Sequence, residues 1–313
     1  MDKPLSVGIV GVCENGLYAV CACDEMLTYG QQTADVGASK MLLYGDWIFI
    51  FAGTLSSTEL TFEEIRNAAI EDKELLNRAN ILPTLRKAFT GRVGHWNELR
   101  HLAGLGMTMK DFNSPEGIKR LGQKLHYEFG WRMHQDYEEN FHDEIMVVGW
   151  GKTPLAVVLY SINASGEGLH GKDGCYAIGS GRDAAISTLL LLGHKSGSLL
   201  QDAIYVVAAA KFSCEDHGIG ESTKMWIGRK RRDTDPSDHY PGMPDLIIQP
   251  DEIKELRRIW EEHGKPKIPI ECREITKTIT SRINDDAVIE RQSNREFFDS
   301  LTGRLTSGKS EPE

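Results

Sequence analysis

Short apolar runs separated by turn residues dominate the start of the chain. Val7–Val12 and Leu17–Cys23 are two such runs, parted by Cys13-Glu14-Asn15-Gly16. Asn-Gly is a hairpin signal because both residues accept positive φ, so the two runs are expected to pair antiparallel. Trp47–Ala52 is a third run, opened by Gly45-Asp46 and closed by Gly53. From about Ser56 to Phe89 the apolar spacing becomes helical. Ser56, Ser57 or Thr58 can cap this stretch, and Glu63 and Glu64 lie near its start, where the helix dipole favours negative charge. The charged stretch Asp72–Ile81 reads as a break. Thr90–Met109 holds four glycines and shows no clear period. A long amphipathic helix is expected over about Ser114–Asn140, with Pro115 suited to its first turn.

The second half alternates in the same way. Ile145–Trp150 and Leu155–Ile162 form a hairpin around Gly151-Lys152-Thr153-Pro154, and Cys175–Ile178 is a strand running into the turn Gly179-Ser180-Gly181. Asp183–Leu192 and Leu199–Cys214 are helices with broad apolar faces, as helices packed on a sheet have. Ser222–Ile227 is one more strand. Strands, helices, strands, helices and a strand, with hairpin-length links, predict sheet packed on sheet with helix layers outside. After Lys230 the character changes: Asp, Pro, Ser and His cluster up to Pro250. A helix at Asp251–His263, a Pro-rich break, a strand at Ile275–Ile283 and a polar tail follow.

Composition narrows the function classes. The chain has 313 residues, a hydrophobic fraction of 40% and a net charge of -10. An acidic surface argues against nucleic acid or an anionic membrane as partner, since both reward clustered positive charge. The basic run Arg229-Lys230-Arg231-Arg232 reads as a solvated loop. The first residues lack the apolar core of a signal peptide, and no run approaches the ~18–20 apolar residues of a membrane span. The expected setting is the cytoplasm. Six scattered cysteines suit reduced thiols there. Cys21 and Cys23 have no partner pair at metal-ligand spacing, and His134, His142, Asp143 and Glu144 read as a solvated face, so neither metal nor cofactor is expected.

One combination of residues resembles a known family. Asp24, Thr28, Gly30 and Lys40 fall at the intervals found in proteasome β subunits, which belong to the N-terminal nucleophile hydrolases. Phe51-Ala52-Gly53 is similar to the family's next strand end, one residue short. Tyr176–Gly181 and the Ala-rich Asp202–Ala210 are similar to its later strand, Gly-Ser-Gly turn and helix. The resemblance covers about residues 6–228, with residues 72–140 enlarged. It implies an α+β fold, the four-layer αββα sandwich of two antiparallel sheets. It also implies a propeptide at residues 1–5 and leaves 229–313 as a C-terminal extension of unknown role.

The resemblance further implies a chemistry. A nucleophile at a mature N-terminus supplies both hydroxyl and base, because an α-amino group of pKa about 7.7–8.0 accepts a proton near neutral pH. Lys40 would lower the hydroxyl's pKa, Asp24 would hold Lys40, and the Gly53 N–H would stabilise the oxyanion. Asp24 and Lys40 can equally form a structural ion pair. The family's threonine falls on Gly8, and no threonine precedes Asp24. Ser6, two residues further upstream, takes that place if both strands of the first hairpin are one residue longer. Ser6 can also simply begin a strand. Ser180 and Asp216 (or Glu215) would support the amine, while Ile219 replaces a supporting hydroxyl. Leu27, Ala38, Leu42 and Phe51 would line a shallow apolar specificity pocket, or be plain core.

The expected activity is therefore hydrolysis of peptide bonds, in peptides or unfolded proteins, by a self-associating ring, with any ATPase partner unknown. An inactive structural subunit and an amidase acting on a small amide are the alternatives.

Overall fold

The structure is a computed structural model. It describes residues 6–29, 32–35, 40–44, 47–53, 55–71, 81–150, 157–215, 219–229, 246–263 and 270–285. β1 (Val7–Cys13) and β2 (Tyr18–Asp24) form the expected hairpin, paired from Gly8↔Cys23 to Cys13↔Tyr18. Its turn uses positive φ at Glu14, Asn15 and Gly16. β10 (Cys175–Gly179), β11 (Thr223–Arg229) and β12 (Leu246–Ile247) complete an antiparallel sheet in the order β10-β1-β2-β11-β12. β5 (Met41–Tyr44), β6 (Trp47–Ala52), β7 (Glu144–Trp150), β8 (Val157–Asn163) and β9 (Gly166–Leu169) follow sequence order in a second antiparallel sheet. Among the described residues, β3 (Met26–Tyr29) and β4 (Gln32–Asp35) pair with each other alone.

Three cores stack these elements into layers. Between the sheets lie Val10, Val12, Cys21, Ile48, Ile50 and their neighbours. The outer face of the second sheet packs Phe49, Phe51 and Val147 against α1 (Leu55–Glu71) and α2 (Ile81–Asn97). The outer face of the first sheet packs against α6 (Arg182–Leu191) and α7 (Leu200–Phe212). The result is a four-layer αββα sandwich, the fold that the resemblance implied. The sheets approach closely at Gly8, where an added methyl would meet Ile50 Cγ2 at 2.5 Å. Gly8→Ala is therefore expected to cost about 1–3 kcal/mol through overpacking. An unchanged urea midpoint would rule out so close an approach.

α7 is buried on every side from Ala203 to Phe212. A helix apolar all round needs cover on both faces. The sheet supplies one cover. α8 (Pro250–His263) and α9 (Ile270–Asp285) supply the other, through Ile253, Leu256, Ile259, Cys272 and Ile279. The strand expected at Ile275–Ile283 is thus helix. Its β-branched residues favour a strand, but Cys272, Thr276 and Ile279 recur at helical spacing and are buried. The Thr276 hydroxyl donates to the Cys272 carbonyl at 2.9 Å, which satisfies it within the helix. Tertiary packing decides over intrinsic preference.

The central region departs from expectation in two places. α2 continues through Gly91 and Gly94, where no period was read, and a turn of π-helix at Glu98–Leu102 follows. At Gly91 an added methyl would fall 2.7 Å from Glu64 Oε2, the movable end of an exposed side chain on α1. The single helix expected from Ser114 to Asn140 is two, α4 (Pro115–Leu121) and α5 (Gln123–Asn140). Gly122, at φ +78°, breaks it. A short α3 (Met109–Phe112) precedes them. Ser114 caps α4 by accepting the Gly117 N–H, with Pro115 in the first turn.

Candidate active site

Ser6 stands immediately before β1, and the hairpin register brings it beside the end of β2. The Val7 N–H donates to Asp24 Oδ1 at 2.8 Å, and Lys40 Nζ donates to Asp24 Oδ2 at 2.7 Å. Lys40 Nζ also donates to Ser6 Oγ at 3.0 Å. Serine, carboxylate and ammonium are 1%, 0% and 3% exposed, so this chain of contacts lies inside the protein. In such surroundings, charge-assisted hydrogen bonds are stronger than at a surface. A Lys ammonium donating to a hydroxyl oxygen favours the alkoxide that forms as the proton leaves. Asp24, with oxygens accepting from both Val7 and Lys40, fixes where that ammonium points.

The other face of Ser6 meets the turn after β10. The Ser6 N–H donates to Ser180 Oγ at 3.0 Å, and the Ser180 hydroxyl donates to the Ser6 carbonyl at 3.3 Å. The Gly181 N–H donates to the same carbonyl at 3.3 Å. Gly179 makes this approach possible. Its φ is +87°, and an added methyl would collide with the Ser6 carbonyl oxygen. Gly53, at φ +145°, ends β6 on the facing sheet, with the Asp143 carboxylate packed where a side chain would begin.

A cleft of about 400 Å³ opens here, lined among others by Ser6, Gly53, Asp143, Glu144, Ser180 and Arg182. Ser6, Asp24, Lys40 and Ser180 are therefore brought together, with Gly53 across the cleft. Asp216 lies outside the described residues. Glu215, the alternative acid, accepts from Lys211 Nζ at 2.9 Å and from Arg257, which ties α7 to α8. Ile219 is buried in the core around α7.

The specificity residues divide. Ala38 lies outside the described residues, and of Leu27 only its pairing with Ala34 is described. Phe51 and Leu42 face the outer core, where Phe51 meets Phe62 edge-on at 4.3 Å. Phe51 lines a recess of about 10 Å³ with Ala52, Phe89, Arg92 and Ile145, room for roughly one water.

Cysteine does not compete for the nucleophile's role. Cys23 adjoins Asp24, but burial, with the Asp24 charge adding, pushes its thiol up to about 12. The reactive thiolate is then scarce at neutral pH. Among the described residues, no group of three or more His, Cys, Asp or Glu is placed to hold a metal ion. No helix among them is long and apolar enough to cross a membrane.

Sequence reasoning read Glu144 as part of a solvated face and did not single out Arg182; both line the cleft, and the Glu144 side chain is only 18% exposed. Glu144 pairs with Ala52 at the start of β7, so its carboxylate stands one residue from Gly53 in the sheet. Its signal was a charged residue opening a strand that must pair with the Ala-Gly end.

No protein-family model matches this chain, and no curated protein sequence matches it. The solved structures similar to it include Anbu (ancestral beta-subunit) from Yersinia bercovieri, at TM-score 0.49 and 12% identity over 84% of this chain and 99% of that one. Anbu from Hyphomicrobium sp. strain MC1 gives TM-score 0.48 and 14% identity over 82% and 94% of the two chains. A (Gly-1) mutant from the same strain gives 0.47 and 15% over 82% and 94%. The fold assignment rests on the strand orders and layers described above.

Proposed function

We propose that this chain is a proteasome-like N-terminal nucleophile peptidase, with Ser6 as nucleophile once Met1–Leu5 are removed. The observation that carries this reading is the buried Lys40 ammonium, which donates to both Ser6 Oγ and Asp24 Oδ2 beside an open cleft. A purely structural ion pair would need no serine hydroxyl on the ammonium and no cleft at that serine.

The mechanism follows from the atoms at hand. Removal of Leu5 turns the Ser6 N–H, now 3.0 Å from Ser180 Oγ, into a free amine held by the same hydroxyl. That amine takes the Ser6 hydroxyl proton as Oγ attacks the substrate carbonyl. Lys40 stabilises the developing alkoxide. The Gly53 N–H is proposed to receive the oxyanion. The amine then returns its proton to the leaving nitrogen, and water hydrolyses the ester.

Peptide hydrolysis should accordingly rise with pH through the ordinary α-amine range of about 7.7–8.0, because only the neutral amine is a base. The rise should be absent in a chain that keeps its first five residues. A pH profile flat from 6 to 9 would remove the amine from the mechanism.

Self-association into a ring belongs to the same proposal. Leu190 and Leu191 on α6, with Leu199, are exposed large apolar side chains that an interface would cover. The protein is expected to elute well above its 35.0 kDa chain mass. A monomer at micromolar concentration would favour an amidase acting on a small amide.

A further inference from the structure

The walls of the cleft beside Ser6 carry an excess of negative charge, and this deepens the reading of the site as a peptidase. Glu138, Asp143, Glu144 and Asp183 all line it, while Arg182 is the one guanidinium among its described lining residues. Arg182 is shared, lying 3.9 Å from Glu144 and 3.5 Å from Asp183. Asp143 faces Arg92 at 3.6 Å. Glu138 and Asp183 stand toward solvent, 65% and 93% exposed, with His134 at 3.3 Å from Glu138. One cation between two carboxylates, together with Glu138, leaves the cleft short of positive charge.

The placement of Glu144 brings this charge close to the chemistry. Its Oε2 accepts the Gly179 N–H at 3.3 Å, and Gly179 packs directly on the Ser6 carbonyl. The carboxylate therefore lies within about one residue of the nucleophile. The turn Asn163–Ser165 forms part of the wall, tied to α5 by the Tyr137 hydroxyl donating to the Ala164 carbonyl at 3.4 Å. The cavity falls within the usual size of small-ligand sites, roughly 300–1,000 Å³. A cleft with an excess of one sign concentrates the opposite charge.

We propose that this cleft selects substrates carrying a lysine or arginine side chain next to the bond to be cut. The cation would be received between Glu144, Asp183 and Glu138, taking up the negative charge that Arg182 leaves unbalanced. Acidic peptides would be turned away by the same carboxylates.

The test uses matched internally quenched peptides with Lys, Leu or Glu on either side of the scissile bond. The full-length protein should cut the Lys peptide faster than the Glu peptide by about tenfold or more at low salt, with the ratio shrinking in 0.5 M salt. Asp183→Asn with Glu138→Gln should lower that ratio severalfold, and Arg182→Gln should raise it. A ratio near one, a reversed ratio, or one untouched by Asp183→Asn with Glu138→Gln would overturn the proposal. If no peptide is cut, the peptidase reading fails by itself, and binding decides the selectivity. Fluorescence anisotropy should then show the unmutated full-length protein binding a Lys peptide over a Glu peptide, with the preference lost on Asp183→Asn and Glu138→Gln. Equal binding of the two peptides would overturn it.

Discussion

A Ser6→Ala chain is expected to keep Met1–Leu5 and to lose peptide hydrolysis by roughly 10⁴-fold or more, as removal of a nucleophile does. Both losses share one cause. Self-cleavage begins with Ser6 Oγ attacking the Leu5 carbonyl. The C–N bond breaks, the amine takes the proton, and water then hydrolyses the resulting ester. Without Oγ no ester forms, so no free amine ever serves as base. Ser6→Thr should still process, since it retains an oxygen nucleophile and adds only the methyl that restricts its rotamer. Intact mass and peptide hydrolysis, measured on one preparation, read both effects. A Ser6→Ala chain that still loses its first five residues would assign the cut to another protease and leave Ser6 as the start of a strand.

Lys40 should show the second large effect, in activity and stability together. It is 3% exposed and its partner Asp24 is fully buried. Removing one member of a buried pair leaves the other uncompensated, at about 3–5 kcal/mol. Lys40→Met is thus expected to abolish hydrolysis and lower the denaturation midpoint as well. The two effects separate with Asp24→Asn added to Lys40→Met. The asparagine oxygen can still accept the Val7 N–H, which donates to Asp24 Oδ1 at 2.8 Å in the native chain. This double variant should recover most of the stability and none of the activity. If it regained hydrolysis, the ammonium would not be part of the chemistry. If Lys40→Met alone were as stable as the native chain, the pair would not be buried as described.

The contrast between what the sequence made legible and what it hid has a physical basis. The first hairpin was readable because Asn15-Gly16 takes positive φ between two apolar runs. Its register then carries Ser6 to Asp24, a pair that the sequence offered only through the resemblance. Lys40 came from the resemblance, since nothing local marks a lysine that points inward. The helix α9 was misread because Ile275, Thr276 and Ile279 favour a strand in isolation, and only the buried surface of α7 decides otherwise. Gly91 and Gly122 look alike in sequence but behave oppositely. One sits inside a helix against Glu64, and the other breaks a helix at φ +78°. The cleft charge was hidden for a similar reason. Glu138, Glu144 and Asp183 come from α5, β7 and α6, and only the fold gathers them.

The most direct test of the central claim is to incubate the purified protein with a peptide electrophile that reacts with N-terminal hydroxyl nucleophiles, then to locate the adduct by mass spectrometry. The account predicts a chain that begins at Ser6, gains one equivalent of the reagent on Ser6, and gains none in the Lys40→Met with Asp24→Asn variant. A chain that begins at Met1 and stays unmodified at every reagent concentration would contradict it, leaving the protein a structural relative of these hydrolases.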